Sequence, residues 1–176
     1  ILPWTGLSLP TEVLRYLDDI PRDSSIHFSG CGLGELANEV QEKGYKFVSC
    51  SDISEVAIRK VREKYPSLES YVVPTQQLGF TDWRNKTVLD LHNLHQINPS
   101  SLGDYLSGIS QIADKIIIAW IYESEKGFSV NSDISELGKI YHHEPDIVKS
   151  LLESKYDLKS EFSYDSQSGL LEGISN

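Results

Sequence analysis

Methionine is absent from the 176 residues, and cysteine occurs only twice, at Cys31 and Cys50. Two cysteines cannot form the disulfide framework by which small secreted domains offset a thin core. Both flank apolar, strand-like stretches and are expected to be free, buried thiols. Long hydrophobic runs are also missing, and nothing approaches the roughly 18 apolar residues of a membrane helix. The greasiest stretch, Ile116–Ile121, has the length of a buried strand. Positive charge is scarce, with 16 Lys and Arg against 26 Asp and Glu and a formal net charge of −10. Nucleic-acid binders carry a basic footprint, and this chain shows none. Its densest basic cluster, Arg59, Lys60, Arg62 and Lys64, alternates along a helical pattern and reads as a solvated face. The opening Ile1-Leu2-Pro3-Trp4 has neither a basic region nor a cleavage pattern, and it lacks an initiator Met, which suits a trimmed chain. With no export signal, the expected compartment is the cytoplasm. Nucleic acid and membrane are not expected as partners, and the expected state is a monomer or weak homodimer.

What is present suits one globular domain over 1–176, with 39% hydrophobic and 24% charged residues. Pro10 followed by Thr11-Glu12-Val13-Leu14 predicts a helix to about Asp19, stopped by Pro21. Ser25–Ser29 predicts a strand, and Leu36, Ala37 and Val40 recur at helical spacing from Glu35 to Lys43. Strands are expected at Tyr45–Ser51, Tyr71–Val73, Thr87–Leu91 and Lys115–Ile121. Helices are expected from the Ser54 cap to Tyr65, from Ser100 or Ser101 to Ala113, and from about Ser132 to Ser154. Leu158–Tyr164 and Leu170–Ile174, joined across Ser166–Gly169, predict an antiparallel hairpin. The alternation implies an α/β, Rossmann-like, seven-stranded, mostly parallel sheet with that hairpin at its end and helices on both faces. Trp83 and Trp120 are expected in the core, and His142-His143 at the surface.

Gly30-Cys31-Gly32-Leu33-Gly34 follows the first strand and opens a helix, and Asp52 follows the second strand at once. Glycines allow a tight turn and close approach of a ligand to backbone, and an acid past the second strand can accept from a ribose diol. The dinucleotide fingerprint needs its third glycine where Glu35 stands. A carboxylate in the first helical turn repels a pyrophosphate there, but not a net cationic ligand. No Gly-Lys-Ser/Thr follows, which excludes a phosphate loop. His92 and His95 lack a visible third partner, so no metal is expected.

Ser29–Ala37, Gly44-Tyr45 and Ser51–Ile58 together resemble the pattern of class I S-adenosylmethionine-dependent methyltransferases. Within them the chain is most similar to the thiopurine methyltransferase-like branch. Pro3-Trp4-Thr5-Gly6, Asp90 with Asn93–Pro99, Gly127-Phe128-Ser129-Val130 and Leu170-Leu171-Glu172-Gly173 carry that likeness. The resemblance implies S-adenosylmethionine as cofactor, held by Trp4, Ser29, Gly30, Cys31, Gly32, Gly34, Asp52, Ile53, Thr75, Gln76 and Asp90. Residues 1–22 would then form an arm and helix over the cofactor. Phe28 stands where most class I enzymes have an acid, which leaves the methionine ammonium without its usual carboxylate, although this branch tends to be apolar there. Thr75 and Gln76 replace the acid usual after strand three, and the prolines common between Gly127 and Phe128 are missing.

The sulfonium makes a methyl group labile, so an enzyme mainly aligns donor and acceptor and excludes water. The expected acceptor is a small molecule with a soft nucleophile, such as a thiol or chalcogen, which needs little proton removal. Asp90 and His95 are the candidate catalytic residues, with His92 as the other candidate base. An O- or N-methyltransferase, which would need that base, and a degenerate fold serving as an interaction module are the competing readings.

Overall fold

A computed structural model describes residues 8–84, 86–121, 141, 143–163 and 168–176. In chain order the elements are α1 (Thr11–Asp18), β1 (Ser25–Ser29), α2 (Glu35–Glu42), β2 (Phe47–Asp52), α3 (Glu55–Lys64) and β3 (Glu69–Val72). A 3-10 segment (Thr75–Phe80) leads to β4 (Lys86–Leu91), and two short 3-10 turns lead to α4 (Leu102–Ile112). Then come β5 (Ala113–Ile121), α5 (Pro145–Leu152), β6 (Tyr156–Ser163) and β7 (Ser168–Ser175). One seven-stranded sheet has the order β3-β2-β1-β4-β5-β7-β6. The first five in that order pair in parallel, and β7 pairs antiparallel with both β5 and β6. This is the expected Rossmann-like sheet closed by a hairpin.

Strand alternation sorts the core into two layers. Ile26, Phe28, Leu89, Leu91, Ile117 and Ala119 face α1, α2 and α3, where Val13, Leu17, Val40 and Val61 meet them. Val88, Ile116, Ile118 and Trp120 face the 3-10 segment, α4 and α5, meeting Leu78, Tyr105, Ile109 and Val148. Burying each such side chain stabilises the fold by about 1.5–3 kcal/mol. β5 is covered on both faces, which is why Ile116, Ile117 and Ile118 run without a polar break. Ser54 caps α3, its hydroxyl accepting from the Ala57 N–H at 3.2 Å.

Several expectations need correction. The helix expected over 132–154 is confined, in its described part, to Pro145–Leu152, and Tyr141, His143 and Glu144 are not helical. Pro145 lacks an N–H and suits the first helical position, while it holds Glu144 extended at ψ 133°. Residues 132–140 and His142 lie outside the described region. His143 is buried rather than superficial, with Nε2 2.8 Å from the Ile97 carbonyl oxygen, and its own carbonyl accepts from Trp120 Nε1 at 2.9 Å. β2 starts at Phe47 because Tyr45 is a core residue whose hydroxyl donates to the Leu17 carbonyl. Both cysteines are free, but Cys31 is only half-buried. The 3-10 segment has no periodic signature, since Thr75-Gln76-Gln77-Leu78-Gly79-Phe80 matches neither repeat. Among the described residues no helix is long and apolar enough to cross a membrane.

Candidate functional site

β1 has β2 on one side and β4 on the other; α2 and α3, which link β1, β2 and β3, cover one face, while the 3-10 segment and α4, which flank β4 in the chain, cover the other. A crevice opens at such a switch point, beyond the carboxyl ends of the strands. Here it is a cleft of about 490 Å³. Its walls come from the glycine loop, the start of α2, the turn after β2, the 3-10 segment after β3, the turn after β4, and Tyr105 of α4.

The loop is held by backbone and by one carboxylate. Gly30, Gly32 and Gly34 all have left-handed φ, at 63°, 53° and 76°. A Cβ on Gly30 would fall 1.8 Å from Asn93 Nδ2, so only glycine lets the turn after β4 close against the loop. Cys31 N–H donates to the Ser51 carbonyl at 2.9 Å, tying the loop to β2. Gly32 N–H donates to Asp52 Oδ2 at 2.9 Å, and Ser54 N–H to Asp52 Oδ1 at 2.9 Å. Each Asp52 oxygen thereby keeps a further lone pair for another donor. Ile53 beside it is 73% exposed, an apolar side chain on the cleft wall with no protein surface to cover it.

Ser29, Gly30, Cys31, Gly32, Asp52, Ile53, Thr75 and Gln76, which the resemblance names as cofactor-binding, all line the cleft. Gly34 does not. It caps α2, and a Cβ there would come within 3.0 Å of Val61, so its role is helix packing. Trp4 and the Gly127–Val130 loop lie outside the described residues. Asp90 is fully buried behind the wall, where Tyr105 hydroxyl donates to its Oδ2. His95 is half-buried and does not reach the cleft, whereas His92 does.

A polar cluster under the cleft was not visible in the sequence. Ser29 Oγ and Thr75 Oγ1 are 2.6 Å apart, and the Tyr105 hydroxyl lies within reach of both while accepting from Asn93 Nδ2. Tyr105 carries no motif signal, because it sits in an ordinary amphipathic helix pattern, and Asn93 belongs to the motif after Asp90 without being singled out as a site residue. Burial pushes the Asp90 carboxyl up to about 7. The Tyr105 hydroxyl, the Asn93 and Leu94 amides and the Asn93 side chain favour the anion and are outweighed. Those amides lie near the carboxylate without closing a bond, and Asp90 Oδ1 has no hydrogen-bond partner. Contact with the Cys50 thiol, and then burial, pushes the Cys31 thiol up, so it is protonated at neutral pH.

His92 is the non-glycine residue with positive φ among the described residues, at 61°. That conformation costs about 1–2 kcal/mol for an L residue and is kept where the surroundings enforce it. Here its N–H donates to the Ala119 carbonyl at 2.8 Å, so β5 pins the turn. Burial holds its imidazole below the usual histidine range. Glu35, in the first turn of α2, also lines the cleft and pairs with Lys64 at 3.2 Å. Among the described residues no group of three or more His, Cys, Asp or Glu side chains could hold a metal ion.

The fold is that of S-adenosylmethionine-dependent methyltransferases. A methyltransferase from Archaeoglobus fulgidus superposes with a TM-score of 0.73 at 18% identity, over 93% of this chain and 91% of that one. Magnesium protoporphyrin IX methyltransferase from Synechocystis, crystallised with bound S-adenosylmethionine, gives a TM-score of 0.71 at 16% identity, over 94% and 77%. A TehB-like S-adenosylmethionine-dependent methyltransferase from Corynebacterium glutamicum gives 0.64 at 12% identity, over 94% and 86%. No protein-family model matches the chain, and no curated protein matches it by sequence.

Proposed function

We propose that this chain is an S-adenosylmethionine-dependent methyltransferase acting on a small molecule that presents a soft nucleophile, a thiol or a chalcogen. The carrying observation is Asp52, bonded to the Gly32 and Ser54 amides with lone pairs to spare at the cleft rim. The donor set suits the cofactor. Asp52 would hold a ribose diol, Ile53 would cover one face of an adenine, and Thr75 and Gln76 would supply polar contacts at its edge. Gly30, Cys31 and Gly32 would pass close beneath. Glu35 on the same wall disfavours a pyrophosphate and tolerates a cation. Once bound, S-adenosylmethionine supplies an electrophilic methyl group on a sulfonium. The chain's own residues then orient the donor, exclude water and receive the acceptor. The strongly negative net charge supports a small acceptor over a nucleic acid. The apolar residue at position 28 keeps the thiopurine methyltransferase-like branch as the working assignment.

Titration calorimetry with S-adenosylmethionine, its demethylated product and NAD tests the reading, followed by labelled methyl transfer to thiols, selenite, tellurite, iodide, phenols and amines. Binding of the first two and not of NAD is expected, with transfer to thiols or chalcogens. Tight NAD binding without a response to S-adenosylmethionine would end the methyltransferase reading. Transfer confined to phenols or amines would reject the soft acceptor alone. Clear cofactor binding with no turnover on any acceptor would favour an interaction module.

A further inference from the structure

The histidines of this chain differ in what their rings do. His27 is fully buried, with Nδ1 2.9 Å from Ser49 Oγ and Nε2 2.9 Å from Ser51 Oγ, so both ring atoms are occupied. His143 is buried and bonded to the Ile97 carbonyl. His95 lies off the cleft. His92 alone among the described histidines lines the cleft, and no hydrogen bond or ion pair from the described residues engages its ring. It sits at the carboxyl end of β4, in a left-handed turn pinned by the Ala119 carbonyl. A left-handed backbone held by β5 thus delivers an imidazole with no described polar partner to the cleft wall.

Resting on the methyltransferase reading, we propose that His92 is the base that takes the proton from the acceptor, and that the acceptor enters as a neutral thiol. The imidazole lone pair takes the S–H proton, and the S–H bonding electrons remain on sulfur as a thiolate pair. That pair forms the new S–C bond as the methyl group leaves the donor's sulfonium, whose C–S bonding electrons stay on the donor sulfur. The imidazolium proton passes to water. The other titratable side chains on these walls are Cys31, Glu35, Asp52, Lys60 and Tyr105, with Asp90 two residues back on β4. None of them shifts His92, and burial alone keeps its ring neutral and able to accept at neutral pH.

Two variants test this. His92→Asn keeps a residue type that tolerates left-handed backbone, and His92→Gly removes the ring and the strain together. Both should bind S-adenosylmethionine as the parent does. Methylation of an alkyl thiol should fall roughly 10²-fold or more, the usual contribution of a general base. Methylation of iodide, which has no proton to lose, should be kept. Added imidazole should restore thiol methylation to His92→Gly. A readout without turnover uses an aromatic thiol and the protein loaded with the demethylated product, below the thiol's own pKa. The His92 ring resonances should shift when the thiol binds, and unshifted resonances would place the acceptor away from this ring and overturn the assignment. Parental thiol rates in His92→Asn, an equal loss on iodide and thiol, or a parent that methylates iodide but no thiol would overturn the assignment. Failure of the parent to bind S-adenosylmethionine would overturn the methyltransferase reading and this base with it.

Discussion

Asp90→Asn isolates the thermodynamic cost of one buried carboxyl. In the folded chain burial raises Asp90 from 3.8 to about 7, against the pull of Tyr105 and the Asn93 and Leu94 amides. Below the unfolded value both states carry the proton, and the residue adds no pH dependence. Between the two values the unfolded chain releases its proton while the folded chain keeps it, so stability falls as pH rises. Above the folded value the loss is complete and amounts to about 4 kcal/mol. Asparagine accepts the same Tyr105 hydrogen bond and does not titrate. The stability of Asp90→Asn relative to the parent should therefore improve by about 4 kcal/mol from about pH 4 to about pH 8. Urea unfolding at several pH values, analysed with a common slope, gives this difference, and other titrating groups cancel in it. Parallel stability curves for the two proteins across that range would refute the raised carboxyl. A difference growing in the acidic direction would reverse its sign.

The remaining expectations concern the loop. Asp52→Ala should weaken S-adenosylmethionine binding by about 1–3 kcal/mol in calorimetry, the scale of hydrogen bonds to a charged acceptor. Unchanged affinity in the folded variant would remove Asp52 as the ribose ligand. Gly30→Ala and Gly32→Ala share a left-handed backbone penalty of about 1–2 kcal/mol in urea unfolding. Gly30→Ala should cost more, because its methyl would also displace Asn93, whereas nothing lies within 4 Å of a Cβ on Gly32. Equal losses would show that Asn93 yields freely.

The sheet was legible because its strands obey simple rules. Ile116–Ile121 is uninterrupted because β5 is covered on both faces, and Ser54 announces α3 because its hydroxyl caps it. The loop and Asp52 were legible because a tight glycine turn between strand and helix, followed by an acid after the next strand, is local in sequence. What stayed hidden depends on long-range contact. Tyr105 looks like any apolar helix residue until α4 brings its hydroxyl to Asp90, fifteen residues away in sequence. His143 reads as a surface residue until Ile97 and Trp120 enclose it. His95 and His92 are indistinguishable by type, and the left-handed turn decides which one reaches the cleft. Gly34 belongs to the same glycine run as Gly30, yet the close approach of Val61 makes it a packing residue.

The polar cluster beneath the cleft shows how those hidden contacts serve the site. Because side chains alternate, Phe28 and Leu89 turn toward one helical layer, while Ser29 and Asp90 turn toward α4. Ser29, Thr75, Tyr105, Asn93 and Asp90 thus join the end of β1, the segment after β3, the turn after β4 and the helix that follows. These pieces bound the cleft from separate parts of the chain, and no apolar contact would fix their mutual spacing as hydrogen bonds do. A carboxyl with an orphaned oxygen is a costly member of such a cluster, since apolar replacements of similar size are often neutral or stabilising. Its presence is intelligible if the cluster holds Gly30 and Asn93 in register, keeping the glycine loop and the His92 turn at a fixed separation across the cleft. A site that aligns donor and acceptor gains from that fixed geometry, because small displacements of either cost rate steeply. The buried carboxyl then lowers stability in the same place where the proposed alignment of donor and acceptor needs rigidity.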